Sequence, residues 1–193
     1  MNASMTHPLT KADILDRLLN QPLDDLMAEA REVLLAVKGD AIHLRGIVEF
    51  SSHCVRDCLY CGLRCSNAEI ERRILGQDEI RAETEVLAGT IGHKRLIVVF
   101  GEHPRSGLEY MAESMRTIYA VRAKSRRGWG QIRRINVNAA RLRIEELRTL
   151  HEVGLGTFQV FQETYHPATY ARLHPGKTLK ADYAWRLTSM HRA

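Results

Sequence analysis

Apolar positions along the chain change period twice. In LDDLMAEAREVLLAVK (23–38), Leu23, Leu26, Met27, Ala30, Leu34 and Val37 recur at three-to-four spacing, predicting a helix that Gly39 ends. A shorter helix over 10–20 precedes it, opening at Thr10 as an N-cap. The pattern then becomes one of short apolar runs separated by helical stretches. AIHLRGIVEF (41–50) reads as a strand, and QDEIRAETEVLAGTI (77–91) as a helix. RLIVVF (95–100) is a strand, LEYMAESMRTIYAVRAK (108–124) a helix and IRRINVN (132–138) a strand. RIEELRTLHEV (143–153) is a helix closed by Gly154, TFQVFQ (157–162) a strand, and a helical stretch closes the sequence around ADYAWRLTSMHRA. Strands alternating with helices predict an α/β fold on a parallel sheet, of about four βα units after two N-terminal helices. The boundary between the two parts falls near residue 40, giving N-terminal helices over 1–40 and a core domain over 41–193.

The uncommon polar residues gather where strands end. A cysteine loop follows the first strand and Gly101-Glu102-His103-Pro104 the second; the third ends in Asn136 and Asn138, the fourth in Gln162-Glu163-Thr164. In a parallel sheet the carboxyl ends share one edge, so these four distant segments should converge there.

Composition changes little. With 45% hydrophobic and 26% charged residues the chain is ordinary for a globular domain. No apolar run is long enough to span a bilayer and the N-terminus shows no secretory h-region, so the expectation is a cytoplasmic protein without a membrane partner. The net charge of +5 is mild. RRGWGQIRR (126–134) carries its densest basic stretch, which could hold phosphates with Trp129 available for stacking. No nucleic-acid-binding motif accompanies it, so it reads as a solvated loop between a helix and a strand, and no nucleic-acid partner is expected.

The cysteines carry the chemistry. All four lie in HCVRDCLYCGLRCSN, at Cys54, Cys58, Cys61 and Cys65. Three thiolates spaced C-x3-C-x2-C on a tight loop can hold three irons of a cubane and leave the fourth iron open to a small molecule. A zinc site would need a fourth ligand, His53 or Cys65, because no second CxxC pair exists. A dithiol redox pair of Cys58 and Cys61 fits CxxC, although a third thiol nearby argues against it.

Cys54, Cys58 and Cys61, with Tyr60 before the last of them, resemble the cluster motif of the radical S-adenosylmethionine (SAM) superfamily. The resemblance implies that these cysteines hold a [4Fe-4S] cluster, that the amino and carboxylate groups of SAM chelate its open iron, and that reduction yields a 5′-deoxyadenosyl radical. Gly101-Glu102 resembles the glycine–glutamate motif that receives the SAM ammonium, with Phe100 where a further glycine is usual. FQETYHPATYARLHP is similar to the tyrosine-lyase branch of hydrogenase maturation and thiamine biosynthesis. This implies ribose binding by Glu163, pairing of Arg186 with the SAM carboxylate, and adenine contact along Tyr60. HLRGIVEFSSHCVRDCLYCGLR is more similar to the sister hydrogenase maturase and biotin synthase-like enzymes.

The branch implies cleavage of tyrosine between Cα and Cβ to p-cresol and dehydroglycine, and a reductant protein such as ferredoxin or flavodoxin. The fold it implies is a six- or eight-stranded β/α barrel, of which about four βα units are expected here. That is a partial (β/α) barrel, read either as an N-terminal fragment of such an enzyme or as a half closed by a homo- or hetero-oligomer. A non-catalytic iron–sulfur module is the alternative. Cys65 departs from the branch, where arginine is usual, and reads as a free thiol. His103, His166 and His174 read as loop residues within reach of the pocket, and Asn136 and Asn138 as candidates for its floor.

Overall fold

The computed structural model describes residues 9–139, 142–176 and 178–193. The chain separates into two compact units, one reaching His43 and one running from Leu44 to Ala193.

The first unit holds α1 (Lys11–Asn20) and α2 (Leu23–Lys38). The Thr10 hydroxyl accepts from the Asp13 N–H and the Asp13 carboxylate reaches back to the Thr10 backbone, a reciprocal cap that fixes where α1 starts. The turn between the helices is tied by Arg17 and Gln21, which both bond Glu29, at 2.7 and 2.6 Å. Neither helix buries a residue.

The second unit is built on a parallel sheet of β1 (Gly46–Ser51), β2 (Arg95–Phe100), β5 (Arg134–Asn138) and β6 (Leu155–Gln159), in that order. Helices α3 (Gln77–Glu85), α4 (Leu108–Ala120) and α5 (Ile144–Glu152) link successive strands. Alternation along the strands decides the faces. Phe50, Leu96, Val98, Phe100, Ile135 and Val137 are buried together with Ile80, Met111, Met115, Ile118, Leu147 and Leu150 of the helices, forming one core. Register places Ile47 and Glu49, Ile97 and Val99, Asn136 and Asn138, and Thr157 and Gln159 on the opposite face. That face is mixed and polar toward β5 and β6. The unit is a partial (β/α) barrel.

Several boundaries differ from the sequence expectation, each because of pairing. The first strand begins at Gly46 rather than residue 41: Gly46 already pairs with Leu96 near the start of β2, so Ile42 and Leu44 have no neighbour and stay 86% and 74% exposed. The fourth strand is offset toward Leu155, which pairs with Ile135. Helix α4 stops at Ala120 because Ala123–Ser125 (β3) pairs antiparallel with Gly128–Gly130 (β4). The first part of the basic stretch is therefore the turn and second strand of a β-hairpin, with Arg126 and Arg127 at the turn. Gly128, with φ of 104°, opens β4 opposite Ser125, while residues 131–133 form the connecting loop into β5. After α3 the chain continues as a π-helical turn, Val86–Ile91, ended by left-handed Gly92. A helix the pattern missed, α6 (Pro167–Leu173), has His166 capping the Thr169 N–H and proline at its first position. The terminal stretch divides into α7 (Tyr183–Leu187) and α8 (Ser189–Arg192). No helix among the described residues is long and apolar enough to cross a membrane.

Candidate functional site

The cysteine loop leaves the carboxyl end of β1 and is held there by backbone hydrogen bonds to three segments. Gly101 N–H donates to Ser51 O at 2.8 Å, and Val55 N–H to Glu102 O at 2.8 Å, which fastens the loop to the end of β2. Leu59 N–H donates to Leu173 O at 3.0 Å, fastening it to the end of α6. Ser52 N–H donates to Arg73 O, and the Ser52 hydroxyl accepts from Arg73 N–H at 2.8 Å. Gly101 is required sterically: a Cβ there would lie 2.1 Å from the His53 carbonyl oxygen.

Within the loop, Arg72 acts as a clasp. Its guanidinium donates to the carbonyls of Ser52 and Leu63 at 2.6 and 2.8 Å, and to those of Arg64 and Asn67 at 2.7 and 3.1 Å. Only a planar fork with several donors can serve so many acceptors at once. Asp57 accepts from both the N–H and hydroxyl of Ser66, which holds its carboxyl below the usual range.

Cys54 and Cys61 are half-buried, Cys58 is 6% exposed and Cys65 is exposed; all four are free thiols. Burial pushes the Cys58 thiol up, opposed by the charge of Lys180. The Cys54 sulfur accepts from Arg56 N–H at 3.4 Å. Among the described residues no three His, Cys, Asp or Glu side chains converge on one point as a single metal ion demands. A cubane asks for less convergence, because each thiolate binds a different iron. Three free thiols on one pinned loop, with buried but unbonded polar atoms at Ser51 Oγ, Asn136 Oδ1 and Gln162 Nε2, fit a cluster and a polar ligand beside it.

Glu102 lies next to the loop, and its carboxylate is gripped in two places by Arg56, through Nε to Oε2 and through Nη2 to Oε1 at 2.9 Å. Both side chains are largely enclosed, at 11% and 13% exposure, and the hydrogen bond to Glu102 raises the Arg56 pKa further. They stand on the wall of a cavity of about 330 Å³ that Gly101, Ala139 and Leu142 also line.

Glu163 follows β6 in the left-handed region, φ 67°, uncommon for a residue with a side chain. Its carboxylate accepts from the Tyr60 hydroxyl at 2.8 Å and faces Lys180 Nζ at 3.6 Å. The same hydroxyl lies 2.8 Å from His174 Nε2. Desolvation of that end and then the Glu163 carboxylate hold Tyr60 protonated well above the ordinary tyrosine range. Tyr170 stacks on His174 at 4.0 Å, and burial pushes its hydroxyl up to about 12. Arg186 is 4% exposed and donates through Nε and Nη2 to Phe161 O at 2.9 and 2.7 Å, bracing the chain just before Glu163.

The structure thus brings Cys58, Tyr60 and Glu163 together through Tyr60 and Lys180, and Cys54, Gly101 and Glu102 together through Arg56 and Val55. Arg186 braces the Glu163 segment from behind. Asn136 and Asn138 share the open sheet face. His174 belongs to the Tyr60 cluster, whereas His103 caps Arg105 N–H and His166 caps α6. Sequence reasoning missed Arg56, Arg72 and Lys180. Arg56 lies inside the motif, opposite Glu102 in sign, and that was the one available signal; Arg72 and Lys180 offered none.

Burial holds the His174 pKa below 6.5. A lowered folded-state pKa means the unfolded chain binds the proton more readily, so this contribution to stability is full above the unfolded value and lost as pH falls below about 6.5. The stability of the wild-type protein, measured by urea unfolding, should fall more steeply through that interval than that of His174→Gln.

The profile of the Radical SAM superfamily matches residues 48–188. The chain belongs to this superfamily, whose members use a [4Fe-4S] cluster and SAM. It is 31% identical to 2-iminoacetate synthase of Escherichia coli (strain K12) over all of this chain and 48% of that protein. It is 29% identical to the [FeFe] hydrogenase maturase subunit HydE of Thermotoga maritima, covering 84% of this chain and 42% of that one. The crystal structure of HydG, a maturase of the [FeFe]-hydrogenase, superposes with a TM-score of 0.80 at 41% identity over 91% of this chain and 39% of that chain. The chain spans about half the length of the curated relatives it matches.

Proposed function

We propose that this chain carries the cluster and SAM site of a radical SAM lyase, with Cys54, Cys58 and Cys61 as ligands of a [4Fe-4S] cluster. The observation that carries the proposal is the pinning of the cysteine loop between Gly101-Glu102 and α6, which sets three free thiols beside two carboxylates from distant strands. When bound, the cluster supplies the electron that cleaves SAM to methionine and a 5′-deoxyadenosyl radical. The chain's own residues bind and orient. Glu102 and the carbonyl beside Gly101 receive the SAM ammonium, and Arg56 holds the Glu102 carboxylate in a fixed plane. Glu163 accepts from the ribose hydroxyls, oriented by Tyr60 and Lys180, while the Tyr60 backbone follows the adenine. Arg186 directs the segment ahead of Glu163 and meets the SAM carboxylate.

The substrate we propose is tyrosine, cleaved between Cα and Cβ to p-cresol and dehydroglycine, as likeness to 2-iminoacetate synthase and HydG supports. A ferredoxin- or flavodoxin-like protein delivers the electron in the cytoplasm, and a second copy of this chain or another protein covers the open edge of β6. The experiment is anaerobic reconstitution with iron and sulfide, then SAM and dithionite, with 5′-deoxyadenosine and p-cresol quantified with and without tyrosine. Nucleoside release that rises with tyrosine is expected, and Cys54→Ala, Cys58→Ala or Cys61→Ala should each lower it by at least about 100-fold, about 2.7 kcal/mol. No 5′-deoxyadenosine from a fully loaded cluster would overturn the proposal.

A further inference from the structure

At the amino ends of β2 and β5, opposite the cysteine loop, lies a cleft of about 580 Å³. It is bounded by the end of the π-helical turn, by Lys94 just before β2, by the β3–β4 hairpin and by Arg133 just before β5. Lys94, Arg126, Arg127 and Arg133 line it, all exposed, and no acidic residue does among the described residues. Their side chains make no ion pair or hydrogen bond with any described residue. Four like charges around one concavity repel one another, and an anion there would relieve the repulsion. The indole of Trp129, 71% exposed, lines the same cleft.

The walls are fixed rather than improvised. A Cβ on Gly130 of β4 would lie 1.9 Å from the Ala88 carbonyl oxygen, and one on Gly89 would lie 2.8 Å from Ala123 Cβ. The hairpin therefore lies flat on the π-helical turn through contacts that only glycine permits. Turns of that type are rare and concentrate at functional sites.

We propose that this cleft binds the polyphosphate of an aromatic nucleotide, a nucleoside di- or triphosphate, with the cations on the phosphates and the base on Trp129. The volume is that of a small-ligand pocket. The cations surround one concavity instead of tracking along a groove, and a single aromatic serves a single base; both features favour a nucleotide over a nucleic-acid strand.

The test uses the full chain carrying Trp185→Phe, leaving Trp129 as its one tryptophan. ATP is titrated at low salt while the indole emission is followed, with equilibrium dialysis of the unmodified protein alongside. Saturable quenching with a Kd on the order of 0.1 mM is expected, displaced by inorganic triphosphate but neither by adenosine nor by SAM. Arg126→Ala with Arg127→Ala should weaken binding by about tenfold or more while leaving the melting temperature unchanged. Dialysis showing no saturable ATP binding would overturn the proposal, as would displacement by SAM or an unchanged Kd in the double variant. A single-stranded oligonucleotide competing far more strongly than ATP, per phosphate, would overturn it in favour of nucleic acid.

Discussion

Gly101→Ala is expected to cost the protein its iron while leaving its helices and sheet folded. The added methyl would lie 2.1 Å from the His53 oxygen, 2.9 Å from the His53 carbonyl carbon and 3.0 Å from the Ser51 oxygen. All three are backbone atoms, so no side chain can swing aside. The loop has to lift, and the bonds from Gly101 N–H to Ser51 O and from Val55 N–H to Glu102 O go with it. Overpacking of this kind costs about 1–3 kcal/mol, and two stretched hydrogen bonds add about 1 kcal/mol each. Most of that loss is local, because the atoms the methyl meets first belong to the backbone of His53 and Ser51 at the mouth of the loop and not to Leu96, Val98 and Ile135 of the core. After anaerobic reconstitution the variant should retain less than about a tenth of the wild-type iron, roughly the effect of 1.4 kcal/mol or more on cluster binding. Its far-ultraviolet circular dichroism should match wild type. Iron retained at the wild-type level would show that the loop tolerates displacement and that Gly101 does not position it.

The sequence made some of this legible because the relevant signals are local. Period-two and period-three-to-four patterns located the strands and the helices of the core, since each element buries one face against the others. The cysteine motif is equally local, three thiols within eight residues. The convergence of Glu102 and Glu163 on the loop followed from one rule about parallel sheets. What the pattern could not supply depends on partners distant in sequence. Residues 41–45 have apolar alternation but nothing to pair with, because β2 begins too late. The hairpin at Ala123–Gly130 is set by glycines that meet the π-helical turn, and its arginines disguise it as a loop. Arg56 and Glu102 are separated by 46 residues, and Tyr60 and Glu163 by 103, so neither pairing has a spacing to betray it.

These pairings alter how the site is understood. The carboxylates expected to meet SAM already have protein partners, Arg56 for Glu102 and Tyr60 with Lys180 for Glu163. A carboxylate held by two donors keeps further lone pairs for a ligand and is presented at a fixed angle. Preorganisation of that kind removes part of the ordering cost of binding. On the proposed reading, the arrangement would tie the binding of SAM to the cysteine loop, because Arg56 and Tyr60 both belong to that loop.

Arg72→Met should be the most damaging substitution in the loop that touches no cysteine. The guanidinium serves four carbonyls, those of Ser52, Leu63, Arg64 and Asn67, which span the segment from the end of β1 to beyond Cys65. Methionine fills similar space and donates nothing. Hydrogen bonds to a charged donor contribute about 1.5–3 kcal/mol each, but the freed carbonyls near the surface recover water, so a net loss of about 3 kcal/mol is the reasonable scale. The loss falls on the loop and not on the core, since Arg72 contacts no residue of the helix–sheet interface through these bonds. Limited proteolysis with trypsin should therefore cut the variant within residues 56–73 at least about tenfold faster than wild type, at unchanged secondary structure. Iron retention should fall in parallel. Arg72→Lys distinguishes charge from geometry: a single ammonium with three donors cannot reach four acceptors spread along the loop, so lysine should recover less than half of the lost protection. Full rescue by lysine would mean that the positive charge, rather than the fork of donors, holds the cysteine loop in place.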